Sequence, residues 1–384
     1  MDFSLTEDQA LLADMVARLF EREYDPQTRR HLAADPAFVT PGHWDKMAEL
    51  GLLGIFVPEA QGGSAENDND SFSLMVLIAR ILGSKLVAEP FVSSAVVAAS
   101  VIADGANAAL REACLPRIAG GALRIAVAAE PWSDEGFERL PRAAPGADGG
   151  LVVSGRATVI NPEDSESLLL PVWDSVQDGL AIALIDRESA GLALEAGRTL
   201  DGTGRLRLRM EDVQVPADRI VAGPGQAETV WQRAIQRATV ALCFEAVGGM
   251  ETLLAMTVDY MKTRKQYGRY LSQFQALQHY LADMRSAIEQ ATSASFAAMA
   301  ACLNNEPADA ARTVSAAKYL VGKHARRVGE QAVQIHAGIA MTDEFAVGHH
   351  FRRLIAIDAL WGNAESHLDA RVRALSTPEE GAVA

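Results

Sequence analysis

The chain has 384 residues, 49% of them hydrophobic and 22% charged, with a formal charge of −15. That length supports two or three regions sharing a sizeable buried core, and the composition is that of a globular chain rather than a disordered one outside the tail from Thr377 to Ala384. The acidic balance excludes a nucleic-acid surface, which needs a basic stripe, but leaves room for an anionic ligand held by a few local cations.

The N-terminus lacks the basic start and apolar stretch of a signal peptide. No run of 18 apolar residues announces a membrane span; Ser93 to Leu110 comes closest and is broken by Asp104, Gly105 and Asn107. Cys114, Cys243 and Cys302 lie far apart in Ala-rich surroundings, as reduced core residues of a cytoplasmic protein would. The histidines have no zinc or triad spacing, and Gly223-Pro-Gly225 lacks the Lys-Ser/Thr of a phosphate loop.

Thr6-x-x-Gln9 is a capping-box pattern, and the apolar residues from Leu11 to Phe20 recur at helical spacing. A second helical pattern carries Trp44 and Met47 to Gly51, after which Leu52 to Pro58 and Gly62-Gly63 read as a packed loop. Ala-rich helices fill most of the way to Ala119. Short apolar runs then appear at 125–129, 151–153, 168–172 and 180–185, and Arg205, Arg207 and Arg209 alternate with apolar residues as in a half-buried strand.

From Gln226 the pattern is helical again, over 228–264, 273–304, 308–337 and 349–375, which predicts a four-helix bundle. The expected organisation is therefore α+β: a helical region over 1–121, a β-barrel or sandwich over 122–225, and the bundle over 226–384. Gly248 and Gly249 inside the first bundle helix each cost roughly 1 kcal/mol relative to Ala, so a close ligand or a closely packed helix is expected on that face.

Two segments of the bundle carry the chemistry. Thr263-Arg-Lys-Gln-Tyr-Gly268 is followed by Phe274-Gln275 and, far downstream, by Gln334-Ile-His-Ala-Gly338. A guanidinium at Arg264 can fork onto phosphate oxygens, Gly268 and Gly338 let backbone approach a ligand, and the Gln amides offer donors and acceptors. Arg264 and Lys265 could equally be a basic helix end favoured by the macrodipole.

With Ala48-Glu-Leu-Gly-Leu-Leu-Gly-Ile-Phe-Val-Pro-Glu59, Glu130-Pro131 with Ser133-Asp134, and Val215-Pro-Ala-Asp-Arg219, these segments resemble the acyl-CoA dehydrogenase family along essentially the whole chain. The resemblance implies FAD as cofactor, an acyl-CoA thioester as substrate, and α,β-desaturation by a carboxylate base on one side of Cα–Cβ and flavin on the other. It further implies that Arg264, Gln266, Phe274, Gln275, Gln334 and Gly338 surround the diphosphate and adenosine end of a flavin bound mainly by a neighbouring subunit. An electron-transfer flavoprotein is the acceptor it implies.

Measured against the family, the flavin-ring end departs. Ala129-Glu-Pro-Trp-Ser-Asp134 replaces roughly Thr-Glu-Pro-x-x-Gly-Ser-Asp, and Val159-Ile-Asn161 replaces the Trp-Ile-Thr/Ser strand that covers the flavin. The base is also missing: the family's Tyr-Glu-Gly-Thr corresponds to Leu360-Trp-Gly-Asn363, and the second location used by some members falls near Ala238. An indole cannot accept a proton from Cα, so Trp361 cannot serve. Glu245, seven residues beyond Ala238 and about 10 Å along the same helix face, is either a relocated base or a structural carboxylate bonded to an arginine or to backbone.

These features resemble the smaller, base-less subunit of the paired dehydrogenases that bacteria use on steroid side chains and other bulky acyl-CoA substrates, implying an α2β2 tetramer with a homologous subunit. A self-sufficient homotetramer using Glu245, and an inactive acyl-CoA-binding scaffold, are the two rival expectations.

Overall fold

The computed structural model of the chain describes residues 6–24, 42–129, 140–304 and 306–376. Helix α1 (Glu7–Glu23) begins with the predicted capping box: the Gln9 amide N–H donates to Thr6 Oγ1 at 3.2 Å, and Thr6 N–H donates to Gln9 Oε1 at 3.1 Å. Helices α2 (His43–Glu49) and α3 (Asp68–Lys85) follow, separated by the packed loop expected from sequence. Leu52, Leu53, Ile55 and Val57 of that loop are buried, and a Cβ on Gly63 would strike the Val57 carbonyl, so only glycine closes the turn. A π-type stretch over Phe91–Ala98 leads into α4 (Ala99–Asp104), and α5 (Ala108–Ala119) completes the helical N-terminal region.

The middle region is one eight-stranded sheet: β1 (Ile125–Ala128), β2 (Arg142–Pro145), β3 (Leu151–Ile160), β4 (Ser167–Asp174), β5 (Gly179–Asp186), β6 (Leu192–Arg198), β7 (Gly204–Val215) and β8 (Ile220–Ala222). The strand order is β6-β7-β3-β1-β4-β5-β8, and β2 pairs with β3 and β4. Strands β1 and β2 therefore share one lane between β3 and β4. The first pairs Val127 with Ile160 and Ile125 with Ser167, the second pairs Pro145 with Leu151 and Arg142 with Trp173. Glu130 to Asp134, the expected flavin-ring turn, lies outside the described residues. The alternation predicted in β7 holds: Leu206, Leu208 and Met210 are buried while Arg207 and Arg209 are exposed.

The chain then enters α6 (Ala227–Thr263), a 37-residue helix about 55 Å long by its rise per residue. It is the one helix among the described residues long and apolar enough to cross a membrane, but 72% of its most apolar window is buried inside the protein. That is the pattern of a core helix. A Cβ on Gly248 would collide with the Arg80 carbonyl of α3, one on Gly83 of α3 would collide with the Glu245 carbonyl of α6, and one on Gly249 would meet Leu354 at an ordinary 3.4 Å. Close helix packing occupies that face.

Helices α7 (Gln275–Leu303) and α8 (Pro307–His336) match the sequence expectation. The expected last helix over 349–375 does not form as one element; it divides into α9 (Ala346–Ala359) and α10 (Ala364–Ser376). The break sits at Trp361 and Gly362, both left-handed at φ 50° and 104°. Asn363 Oδ1 then accepts the Ser366 N–H at 2.8 Å and starts the new helix. One apolar core runs through all three regions, from Phe20 and Trp44 through Val127 and Leu208 to Phe244 and Trp361.

Candidate functional site

The first group of predicted residues comes together at one end of the bundle. Arg264 follows the last turn of α6, its N–H donating to Tyr260 O at 2.9 Å while its carbonyl accepts from Leu271 N–H at 2.9 Å. Between these bonds lies a small hairpin in which Lys265–Gln266 pairs with Arg269–Tyr270. Its two corner residues, Tyr267 and Gly268, both have positive φ, as a tight primed turn requires. Tyr260 stacks on His336 with ring centroids 4.4 Å apart, which brings the end of α8, with Gln334 and Gly338, to the same end as the hairpin.

The cations of this hairpin are used differently. Lys265 lies 4.6 Å over the Tyr270 ring and Arg269 lies 4.0 Å over Phe274. Arg264 makes no side-chain hydrogen bond or ion pair among the described residues, and Gln266, Gln275 and Gln334 are likewise exposed with unpaired amides. A Cβ on Gly338 would meet nothing within 4 Å. A free guanidinium, three free amides and open backbone form a donor set that fits a dinucleotide's diphosphate, with Phe274 as an apolar surface beside it.

The second group meets in the interior. Glu245, Asn161 and Trp361 line one cavity together with Glu89, Phe91, Thr203 and Arg353. Its volume is about 20 Å3, room for about one water molecule. Trp361 is 2% exposed, and its indole N–H donates to the carbonyl of Ala128, the last residue of β1, at 2.8 Å. The indole thus ties the α9–α10 break to the sheet.

Glu245 is 4% exposed and accepts from Arg353 Nε at 2.7 Å. The same guanidinium donates to Asp201 Oδ2 at 2.9 Å, and Asp201 also accepts from the Thr203 amide at 3.2 Å, the Thr203 hydroxyl at 2.8 Å and the Thr199 hydroxyl. Burial opposes the charge on Arg353, but the Glu245 and Asp201 carboxylates outweigh it and hold its pKa above the usual guanidinium range. The triad joins α6, α9 and the β6–β7 turn. The Oε1 oxygen of Glu245 is therefore held by the Arg353 guanidinium, as in a structural ion pair.

Sequence reasoning missed Arg353, Asp201 and Glu89. For Arg353 a signal existed: it follows His350 by three and precedes Ile357 by four, so it shares the inward stripe of α9, and a cation on that stripe demands buried carboxylates. Glu89 pairs with His43, Oε1 to Nδ1 at 3.4 Å, in a contact between distant segments that no local pattern announces.

The acyl-CoA dehydrogenase N-terminal domain matches residues 6–122 and the C-terminal domain matches residues 229–376. Among curated relatives, acyl-CoA dehydrogenase FadE27 of Mycobacterium tuberculosis is 26% identical over 96% of this chain and 97% of its own length. The probable acyl-CoA dehydrogenase YngJ of Bacillus subtilis is 26% identical over 92% and 93%. Among solved structures, the ChsE4-ChsE5 complex of Mycobacterium tuberculosis superimposes with a TM-score of 0.88 at 25% identity, covering 98% of this chain and 100% of the matched one. Butyryl-CoA dehydrogenase of Megasphaera elsdenii shares the fold with a TM-score of 0.84 at 21% identity over 98% and 100%. With matched domains at both ends and the helical, sheet and helical regions in the same order, the chain belongs to the acyl-CoA dehydrogenase family of FAD-dependent oxidoreductases.

Proposed function

We propose that this chain is the base-less partner subunit of a heteromeric acyl-CoA dehydrogenase, offering Arg264, Gln266, Phe274, Gln275, Gln334 and Gly338 to the diphosphate and adenosine of an FAD seated mainly in a homologous subunit. The observation that carries it is a contrast within the chain: the donors at the bundle end are exposed and unpaired, whereas the interior cavity has room for about one water and is stopped by Trp361. An exposed donor set is what a site completed by another chain requires.

FAD, when bound, supplies the acceptor for the hydride from Cβ. This chain's contribution is binding and orientation: Arg264 neutralises and forks the diphosphate, the amides fix the nucleotide end, and Gly338 lets backbone approach. Proton abstraction belongs to the homologous subunit, as does the pocket for a bulky, steroid-derived acyl group, with an electron-transfer flavoprotein taking the electrons. The likeness to a complex named for two chains, ChsE4 and ChsE5, supports a mixed α2β2 assembly.

The rival, a self-sufficient homotetramer with Glu245 as base, is disfavoured by the Arg353 pairing. The experiment is to purify the chain alone and with the product of its neighbouring gene, and to record flavin absorbance and acyl-CoA turnover of each. Yellow, active protein from the lone chain would refute the partner-subunit reading. Loss of that activity in Glu245→Gln would then identify the base.

A further inference from the structure

Trp361 borders two spaces. On one side is the interior cavity with Glu245 and Arg353; on the other is a pocket of about 210 Å3 between α6, α8 and α10, lined by residues including Gln236, Val314, His367 and Arg373. Trp361 is a lining residue of both. Its backbone is in the left-handed region at φ 50°, an unfavourable place for a bulky residue, so the surrounding structure must hold it there.

What holds it is a set of polar contacts on the residues around the break. Lys318 of α8 is 1% exposed, and its Nζ donates to Ile357 O at 2.5 Å and Leu360 O at 3.2 Å. These carbonyls lie at the C-terminal end of α9, where, among the described residues, Ile357 O accepts only the 3.3 Å cap bond from Leu360 N–H besides Lys318 and where a cation meets the negative end of the macrodipole. Asp358 Oδ1 accepts the Ala364 N–H at 3.0 Å, and His367 Nε2 lies 3.2 Å from the Trp361 carbonyl. Leu360, whose carbonyl is the second acceptor for Lys318, immediately precedes the tryptophan.

We propose that Lys318 is a positioning residue: by capping α9 it fixes the left-handed turn that keeps Trp361 buried between the two cavities. Burial lowers the Lys318 pKa while Cys243, Asp358 and Glu245 raise it, the first effect prevailing. Keeping so costly a side chain in the core is explained by its two carbonyl bonds. The proposal rests on the reading that the interior of this chain is closed; that reading would fail if the lone chain bound flavin, a result independent of the measurement below.

The test follows hydrogen exchange of indole N–H groups in the full chain labelled with 15N-tryptophan. Trp361→Phe assigns the Trp361 signal, and Trp44, whose indole donates to Gly121 O at 3.0 Å in the N-terminal region, is the internal control. In Lys318→Met the Trp361 indole should exchange at least about tenfold faster while the Trp44 indole is unchanged, a local opening rather than global unfolding. Lys318→Gln, which keeps a donor, should restore part of the protection. Unchanged Trp361 exchange in Lys318→Met, or equal acceleration at Trp361 and Trp44, would overturn the proposal, as would a failure of Lys318→Gln to exceed Lys318→Met.

Discussion

The bundle end and the interior of this chain treat polar groups in opposite ways. At the bundle end, Arg264 and three glutamines stand exposed and unpaired among the described residues; in the interior, Arg353 bonds both Glu245 and Asp201, and Trp361 is buried beside them. A polar group is buried only with partners, and an exposed one keeps its bonding capacity for a ligand. The interior set is satisfied within the chain and the outer set keeps its bonding capacity, so substitutions at the two should have separable consequences.

The largest effect is expected inside. Arg353→Met leaves Glu245 and Asp201 buried without their cation and should destabilise the protein by about 3–5 kcal/mol, with the flavin site proposed at the bundle end untouched. Thermal unfolding measures this, and adding Glu245→Gln to the variant should recover part of the loss. No change in melting temperature would mean that the triad is not the structural unit described.

Arg264→Ala should do the reverse. On the proposed function, removing this guanidinium from its phosphate partner should weaken flavin binding in the two-subunit complex by about 2–5 kcal/mol. Melting of the lone chain should move by no more than about 0.5 kcal/mol, as for an ordinary surface change. Flavin retention on gel filtration reads the first and calorimetry the second; equal retention by variant and wild type would remove Arg264 from the site.

A third test uses pH. Burial, assisted by Lys318 and opposed by the bond to Trp361, lowers the His367 pKa from 6.5 to about 4. The unfolded chain then binds this proton at a pH where the folded chain does not. The stability from keeping His367 neutral is present above pH 6.5 and is lost as pH falls toward 4, by roughly 3 kcal/mol at one pKa unit per 1.36 kcal/mol. Denaturation midpoints at pH 7, 5.5 and 4 should fall in step, and His367→Gln should flatten that part of the curve.

The smallest effect is expected from Glu245→Gln on the turnover of the complex, within about twofold, because a structural carboxylate lies outside the reaction, whereas loss of a general base costs about 10²–10⁴-fold. A loss of that size would move the base back to Glu245.

Local signals made much of this visible beforehand. The Thr6–Gln9 capping box, the alternation in β7 and the helical period of α6 are set by neighbours in sequence, and they appear where expected. Strands β2 and β6 were missed because they are mostly exposed, and β8 because its apolar run is only three residues long. The division of the last helix was missed because helical spacing continues through Leu360 to Asn363; Lys318, from 39 residues before its nearest acceptor, caps the end of α9 there. At the site, Arg264 and Gly338 were legible as donor and small residue in a recurring order, while the Arg353 triad depends on the β6–β7 turn meeting α9 across 152 positions.

The most direct test of the account is the flavin content of three preparations: the lone chain, the complex with its homologous subunit, and that complex carrying Arg264→Ala. The account predicts a colourless lone chain, a yellow complex with flavin on one of the two kinds of subunit, and depleted flavin in the variant. One tightly bound FAD per polypeptide in the lone chain, undiminished by Arg264→Ala, would contradict it.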